Sequence, residues 1–138
     1  EIIVSAGLPR DATTLARAVT RLYDLGLKPD WWKLEPMDDA AGWRQMADVI
    51  EDRDPYCRGV VLLGLSQPME TLVAAFGATA AVPVVKGFAV GRTIFNDAAR
   101  AWLAGEIDDE TAVQRLTDKF TLLADAWRGA RAAVGRAA

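Results

Sequence analysis

The chain of 138 residues contains no histidine and a single cysteine, Cys57. Without histidine, Ser-His-Asp and Cys-His catalysis and His-based zinc sites are excluded within this chain. Because one cysteine cannot form an internal disulfide, the composition favours a reducing, cytoplasmic compartment. The sequence also opens on strand-like residues without an initiator methionine, so we expect it to be a fragment of a longer chain.

Long apolar runs and an excess of basic charge are missing as well. No stretch reaches the roughly 20 apolar residues of a membrane span, and the net charge of -3 gives no basic surface for nucleic acid. The motifs GxGxxG and GxxxxGK[ST] are absent, so a dinucleotide or P-loop fold has no support. The remaining composition, 51% hydrophobic and 25% charged, predicts one compact domain over residues 1–138.

Strand-like and helix-like segments alternate along the chain. The predicted strands cover residues 2–5, 30–35, 59–64 and 82–90, and the predicted helices cover residues 11–25, 38–51, 69–76, 93–103 and a last helix that begins at Asp108. Strands that alternate with helices predict a parallel α/β sheet. A four-stranded open sandwich fits this length, and so does one half of a (β/α)8 barrel, since a whole barrel needs about 250 residues.

Apolar residues at helical spacing predict which side of the later helices is buried. The predicted buried residues are Trp43, Met46, Ala47 and Ile50 in the second helix, Phe95, Ala98, Ala99 and Trp102 in the fourth, and Val113, Leu116, Phe120, Leu123 and Trp127 in the last.

The second predicted strand carries two charged residues close to its end. Side chains alternate along a strand, so Lys33 and Glu35 are expected on one face, with Pro36 ending the strand. Lysine forms Schiff bases with carbonyl substrates, and a carboxylate two residues on could transfer protons. The alternative is an edge strand whose Lys and Glu are merely solvated.

A second group of candidate residues follows the later strands. Gly91 and Arg92 lie where the fourth predicted strand gives way to a helix, and such a turn can bind phosphate through backbone N–H groups and the guanidinium. The alternative is a tight turn with Arg92 paired to a surface carboxylate. Gly64 follows the third strand at the same edge, where its N–H could bind a polar substrate atom or serve only as turn chemistry.

Three stretches of the chain carry a resemblance to a known family. The stretches PDWWKLEP, RGVVLLGL and KGFAVGRTIF resemble the aldolase-like domain that follows the sugar kinase in 5-dehydro-2-deoxygluconokinase proteins of inositol catabolism. They resemble class I tagatose-1,6-bisphosphate aldolases more distantly. The resemblance covers nearly the whole chain but only the second half of that domain, which implies strands five to eight of a (β/α)8 barrel.

The resemblance implies a role for each candidate residue. Lys33 matches the Schiff-base lysine of the sixth strand, and Glu1 matches the proton-transferring glutamate of the fifth, with Glu35 as a second candidate. Gly91 and Arg92 match the phosphate-binding pair after the eighth strand. After the seventh strand the aldolases carry Ser-Ala-Gly where this chain has Leu-Gly-Leu around Gly64, so that part of the phosphate site differs.

The implied reaction is carbon–carbon cleavage of a phosphorylated keto sugar acid, such as 5-dehydro-2-deoxygluconate 6-phosphate, to dihydroxyacetone phosphate and malonic semialdehyde. The iminium is the electron sink, so no metal or other cofactor is expected. The alternative is a non-catalytic, phosphate-ligand-binding or regulatory half-barrel attached to a sugar kinase. A half-barrel exposes apolar surface, so we expect it to associate with itself or with a missing N-terminal half, and to be inactive alone.

Overall fold

A computed structural model of the protein describes residues 1–4, 7, 9, 11–37 and 39–137. It has the α/β architecture that the sequence predicts, with helices alternating with the strands of a parallel sheet. The strands are β1 (Trp31–Leu34), β2 (Gly59–Leu63) and β3 (Val85–Ala89), and the helices are α1 (Thr14–Asp24), α2 (Ala40–Arg53), α3 (Met69–Thr79), α4 (Arg92–Leu103) and α5 (Asp109–Ala137).

The strands lie in chain order, β1-β2-β3, and both pairings are parallel. Lys33 of β1 pairs with Val61 of β2, which pairs in turn with Gly87 of β3. Because all three strands point the same way, their carboxyl ends meet at one edge of the sheet. Residues that follow different strands are therefore brought together at that edge.

The strand predicted for residues 2–5 is present only as a single bridge. Ile2 pairs in parallel with Leu34, and its N–H donates to the carbonyl of Lys33 at 3.0 Å. Ser5 lies outside the described residues. Only the four-residue β1 is beside this segment, so it can form few ladder bonds. It nevertheless occupies the place beside β1 that chain order gives to a first strand.

One face of the sheet packs against the helices and forms the core. The sheet residues buried on this face are Trp32, Leu34, Val60, Leu62 and Val85. From α2, the predicted residues Trp43, Met46 and Ile50 are buried against them, and Ala47 is partly buried. Trp32 makes the most specific of these contacts, because its indole N–H donates to the Tyr23 hydroxyl at 2.7 Å inside the core.

Local capping explains where α2 begins. The carboxylate of Asp39 accepts the N–H of Ala41 at 2.8 Å, which satisfies one of the free donors at the start of the helix. The predicted helix begins at residue 38, and Asp38 lies outside the described residues.

The buried faces predicted for α4 and α5 are only partly correct. Ala98 and Leu123 are buried as predicted. The exposed members are Phe95, Trp102, Val113 and Phe120. Helix α4 packs mainly against α5, and α5 packs against α3 and α4. These contacts cover only part of the apolar side of each helix, so some of its apolar residues remain exposed. No helix in the described part of the chain is both long and apolar enough to cross a membrane.

The other face of the sheet, here called the open face, is partly exposed in the described structure, apart from Leu63, which is buried. It presents Trp31, Lys33, Val61, Leu63, Gly87 and Ala89, which share a face by strand alternation and register. Trp31 is 45% exposed there. Lys33 is thus placed on the open face, near the carboxyl edge.

Candidate functional site

Five of the six residues singled out in the sequence line one cavity at the carboxyl edge of the sheet. Glu1 comes from the bridged segment, Lys33 from β1, Gly64 from the end of β2, and Gly91 with Arg92 from the turn after β3. The cavity has a volume of about 180 Å³. The parallel sheet is what brings these residues together, since each lies in or beside a strand near its carboxyl end.

Lys33 and Glu1 form an ion pair in this cavity. The Lys33 Nζ lies 2.9 Å from the Glu1 Oε2, and both side chains are partly exposed. The hydrogen bond from Lys33 lowers the pKa of the Glu1 carboxyl, and the charges of Lys33 and Arg92 act in the same direction. Glu1 is therefore held as a carboxylate, in direct contact with an amine that could become a nucleophile.

The loop after β2 approaches the end of β3 very closely. A Cβ atom on Gly64 would lie 2.7 Å from the Cγ1 of Val90, so a side chain does not fit there unless the neighbour moves. Leu65 and Ser66 then take left-handed φ values of 48° and 59°, which few non-glycine residues adopt. The turn is closed by the N–H of Gln67, which donates to the Gly64 carbonyl at 2.8 Å.

The turn after β3 places Arg92 as the first residue of α4. The Gly91 carbonyl accepts the N–H groups of Ile94 and Phe95 at 2.8 and 3.0 Å, and no side chain caps the helix. Arg92 is exposed, and its guanidinium makes no hydrogen bond or ion pair with any residue that the structure describes. The positive group therefore remains available at the cavity, which does not fit the alternative of an Arg92 paired to a surface carboxylate.

Glu35 is not part of this cavity. The strand β1 ends at Leu34, so the alternation that would have put Glu35 beside Lys33 does not extend to it. Glu35 is buried, 5% exposed, and lines a different cavity with Val4, Asp11 and Met37. Of the two carboxylates considered from the sequence, Glu1 is the one in contact with Lys33.

Phe95 is a cavity residue that the sequence analysis places elsewhere. It was expected in the core, but its ring lines the cavity and lies against Gly91, where a Cβ would be 3.0 Å from the ring. Its position three residues after Arg92, on the same side of a helix, was the available signal. Ser66 also lines the cavity, in the segment after β2 that the sequence leaves open as a binding loop or as turn chemistry.

Among the residues that the structure describes, no three or more His, Cys, Asp or Glu side chains lie close enough together to hold a metal ion.

Comparison with known proteins gives one match. None of the curated proteins or solved structures compared with the chain matches it. Among protein families, residues 1–131 match the family described as "Uncharacterized protein conserved in bacteria (DUF2090)". Because this match covers nearly the whole chain, the protein belongs to the DUF2090 family.

Proposed function

We propose that this chain is the second half of a class I aldolase barrel, acting on a phosphorylated keto sugar acid in the cytoplasm. The observation that carries the proposal is the shared cavity of Lys33, Glu1, Gly64, Gly91 and Arg92. These residues are far apart in sequence, and a Schiff-base lysine, a carboxylate and an anion-binding arginine are the groups that such a reaction needs.

The open face of the sheet supports the barrel half of the proposal. In a (β/α)8 barrel the helices cover one face of the sheet and the other face lines the interior, with the active site at the carboxyl ends of the strands. Here the helices cover one face, Lys33 lies on the other, and the cavity is at the carboxyl edge. An N-terminal half, following a sugar kinase, or a second copy of the chain would complete the barrel.

Lys33 supplies the covalent step of the proposed reaction. Its neutral amine adds to the substrate ketone, and loss of water leaves a protonated imine that draws electrons from the adjacent carbon–carbon bond. When that bond breaks, its electron pair enters the imine and forms an enamine, while the other fragment leaves as an aldehyde. Protonation of the enamine and addition of water release the ketone product and restore the amine.

Glu1 supplies the proton transfers. Its carboxylate lies 2.9 Å from the Lys33 nitrogen, within reach of a proton that leaves the ammonium before attack. Glu1 then gives that proton to the hydroxyl that leaves as water when the imine forms. Again a carboxylate, it can accept the proton of the substrate hydroxyl as the carbon–carbon bond breaks. It can then return a proton to the enamine carbon, so one group serves both halves of the cycle.

Arg92 would hold the phosphate of the substrate. Its guanidinium can form two parallel hydrogen bonds to a phosphate and has no described protein partner to compete with. Gly91 leaves the backbone before the helix open to close approach. The phosphate would thereby fix the distance between the substrate carbonyl and Lys33.

A non-catalytic function as a phosphate-ligand-binding module is the second candidate. The Lys33–Glu1 ion pair favours it, because a lysine with a purely structural role would make the same contact. Binding of a phosphorylated ligand at Arg92 would then proceed without any covalent bond to Lys33.

Borohydride trapping separates the two candidates. In the full-length protein, incubation with dihydroxyacetone phosphate and borohydride should add one reduced adduct, mapped to Lys33 by mass spectrometry. Lys33→Ala should abolish both the adduct and cleavage activity, because no imine can form. The matched control is Lys86→Ala, on β3 but exposed and lining a different cavity; it should trap normally. Adduct formation or cleavage that survives Lys33→Ala would refute the aldolase mechanism.

A further inference from the structure

A second cavity adjoins the one that holds Lys33. It has a volume of about 290 Å³, against about 180 Å³ for the first, and the two share Ser66 and Arg92 as lining residues. A ligand that spans both cavities would pass Ser66 and Arg92 at their shared wall, and it would have a combined space of the size that small-molecule sites usually offer.

The charges of the second cavity leave one positive group unmatched. Lys119 of α5 and Asp97 of α4 neutralise each other in a bond of 2.9 Å. The hydroxyl of Thr93 is also used, because it donates to the Gln67 carbonyl at 3.0 Å. Arg92 therefore carries the uncompensated charge of this cavity, since its guanidinium has no bonded partner among the described residues.

Asn96 lies beside that charge with its hydrogen-bonding groups unused. It follows Arg92 by four residues on α4, so both side chains lie on the same side of the helix. Asn96 is half-buried, lines the second cavity, and makes no side-chain hydrogen bond within the part of the chain that is described. Its amide offers two N–H donors next to the five of the guanidinium.

We infer that the anionic end of the ligand lies in this second cavity, bound by Arg92 and Asn96 together, while its carbonyl end faces Lys33. Asn96 is then a specificity-determining residue. It favours ligands that are long enough for the anionic group to reach the second cavity, beyond Arg92, while the carbonyl stays at Lys33. The inference rests on the proposed function for the direction of the ligand, but the anion site itself can be tested without any aldol chemistry.

The test is binding of inorganic phosphate to the full-length protein, measured by calorimetry with wild type and variants. Asn96→Asp keeps the size of the side chain and places a carboxylate against the anion, so the Kd should rise about tenfold or more. Asn96→Leu keeps a similar size and adds no charge but removes the amide donors together with the amide oxygen, so it should raise the Kd by a few-fold. Each variant's fold is checked by circular dichroism, and an acidic residue in the first turns of a helix is compatible with folding.

The control is Gln45→Glu, which makes the same change of charge on an exposed part of α2 outside both cavities. It should leave the Kd unchanged. If it weakens binding as much as Asn96→Asp does, the effect is one of net charge and the inference is wrong.

Two further outcomes distinguish this inference from the proposed function. If Arg92→Ala weakens phosphate binding but both Asn96 variants bind normally, the anion lies in the first cavity, and the inference fails while the aldolase proposal stands. If the Asn96 variants weaken binding but borohydride traps nothing on Lys33, the anion site is real and the aldolase proposal fails. Absence of phosphate binding by the wild type overturns the inference.

Discussion

The two faces of the sheet present opposite environments only one residue apart. Trp32 is 4% exposed and donates a hydrogen bond to Tyr23 in the core, whereas Trp31, its neighbour in β1, is 45% exposed on the open face. The charged pair of Lys33 and Glu1 lies on the open side as well. The core is thus complete on one face, while the functional candidates occupy the face that the described part of the chain leaves uncovered.

Because of this difference, the residues that stabilise the fold are not the residues that form the candidate site. Burial of side chains such as Trp32 and Leu62 against the helices supplies the stability of the fold. The open face and the carboxyl edge can therefore carry an ion pair and a guanidinium that has no partner among the described residues, without weakening the core. A partner that covers this face would exclude water from the Lys33–Glu1 ion pair and strengthen its electrostatic interactions.

The largest expected effect is the difference in unfolding free energy between substitutions of the two adjacent tryptophans. Trp32→Ala should lower the free energy of unfolding by about 3–5 kcal/mol, since it leaves a large cavity and removes the partner of the Tyr23 hydroxyl. Trp31→Ala in the same 138-residue chain should cost less than about 1 kcal/mol. Both values are measured by urea unfolding monitored by far-UV circular dichroism.

The full-length protein is the control for this pair. There, the cost of Trp31→Ala should rise toward that of Trp32→Ala, because the N-terminal half of the proposed barrel would bury Trp31. Equal, small costs of Trp31→Ala in both chains would contradict a completed barrel. A cost that depends on protein concentration would instead identify a second copy as the cover.

Two glycines test whether the open side is loosely packed. Gly64→Ala should destabilise the chain by about 1–3 kcal/mol, because the new methyl group would meet Val90 at 2.7 Å. Gly77→Ala, in the helix layer, should stabilise by up to about 1 kcal/mol, since nothing lies within 4 Å and alanine is the better helix former. Thermal unfolding compares the two, and a neutral Gly64→Ala would show that the loop yields easily.

The smallest expected effect is the titration of Glu1. Its pKa is lowered in the folded state, so the ion pair stabilises the fold above the unfolded pKa and is lost as the pH falls through the folded one. Carboxyl carbon NMR should show a depressed pKa for Glu1 that rises toward its usual range in Lys33→Met, since the hydrogen bond from Lys33 is the largest cause of the depression. The pKa of Asp108, lowered by hydrogen bonds from Thr111, should stay low in that variant. An unchanged Glu1 pKa would mean that Lys33 is not its partner.

Much of the fold could be predicted because local signals and tertiary structure agree. The sequence predicts a strand at residues 59–64 and the structure has β2 at Gly59–Leu63; it predicts a helix at 93–103 and the structure has α4 at Arg92–Leu103. The site follows from the same geometry, since residues after parallel strands must meet at one edge. Lys33 and Arg92 could therefore be placed together without coordinates.

The remaining differences between the sequence predictions and the structure concern features that depend on which other elements lie nearby. Glu35 leaves the site because β1 ends one residue earlier, and no sequence signal gives a strand boundary to within one residue. Phe95 and Phe120 follow the helical period but are exposed, since the period says which residues share a side of a helix and not whether another element covers that side. The bridge at Ile2 is limited by the shortness of β1.

That single bridge has a consequence for how Glu1, the proposed proton-transferring group, is held. Glu1 is anchored by the ion pair with Lys33 and by the hydrogen bond from the next residue, Ile2, to the Lys33 carbonyl. Proton transfer tolerates misplacement of only about 0.5 Å, and both of these contacts come from β1. A second neighbouring strand would fix the position of Glu1 more tightly by holding the backbone from the other side. The precision of the acid–base group would then be a property of the assembled barrel, acquired only when its edge is closed.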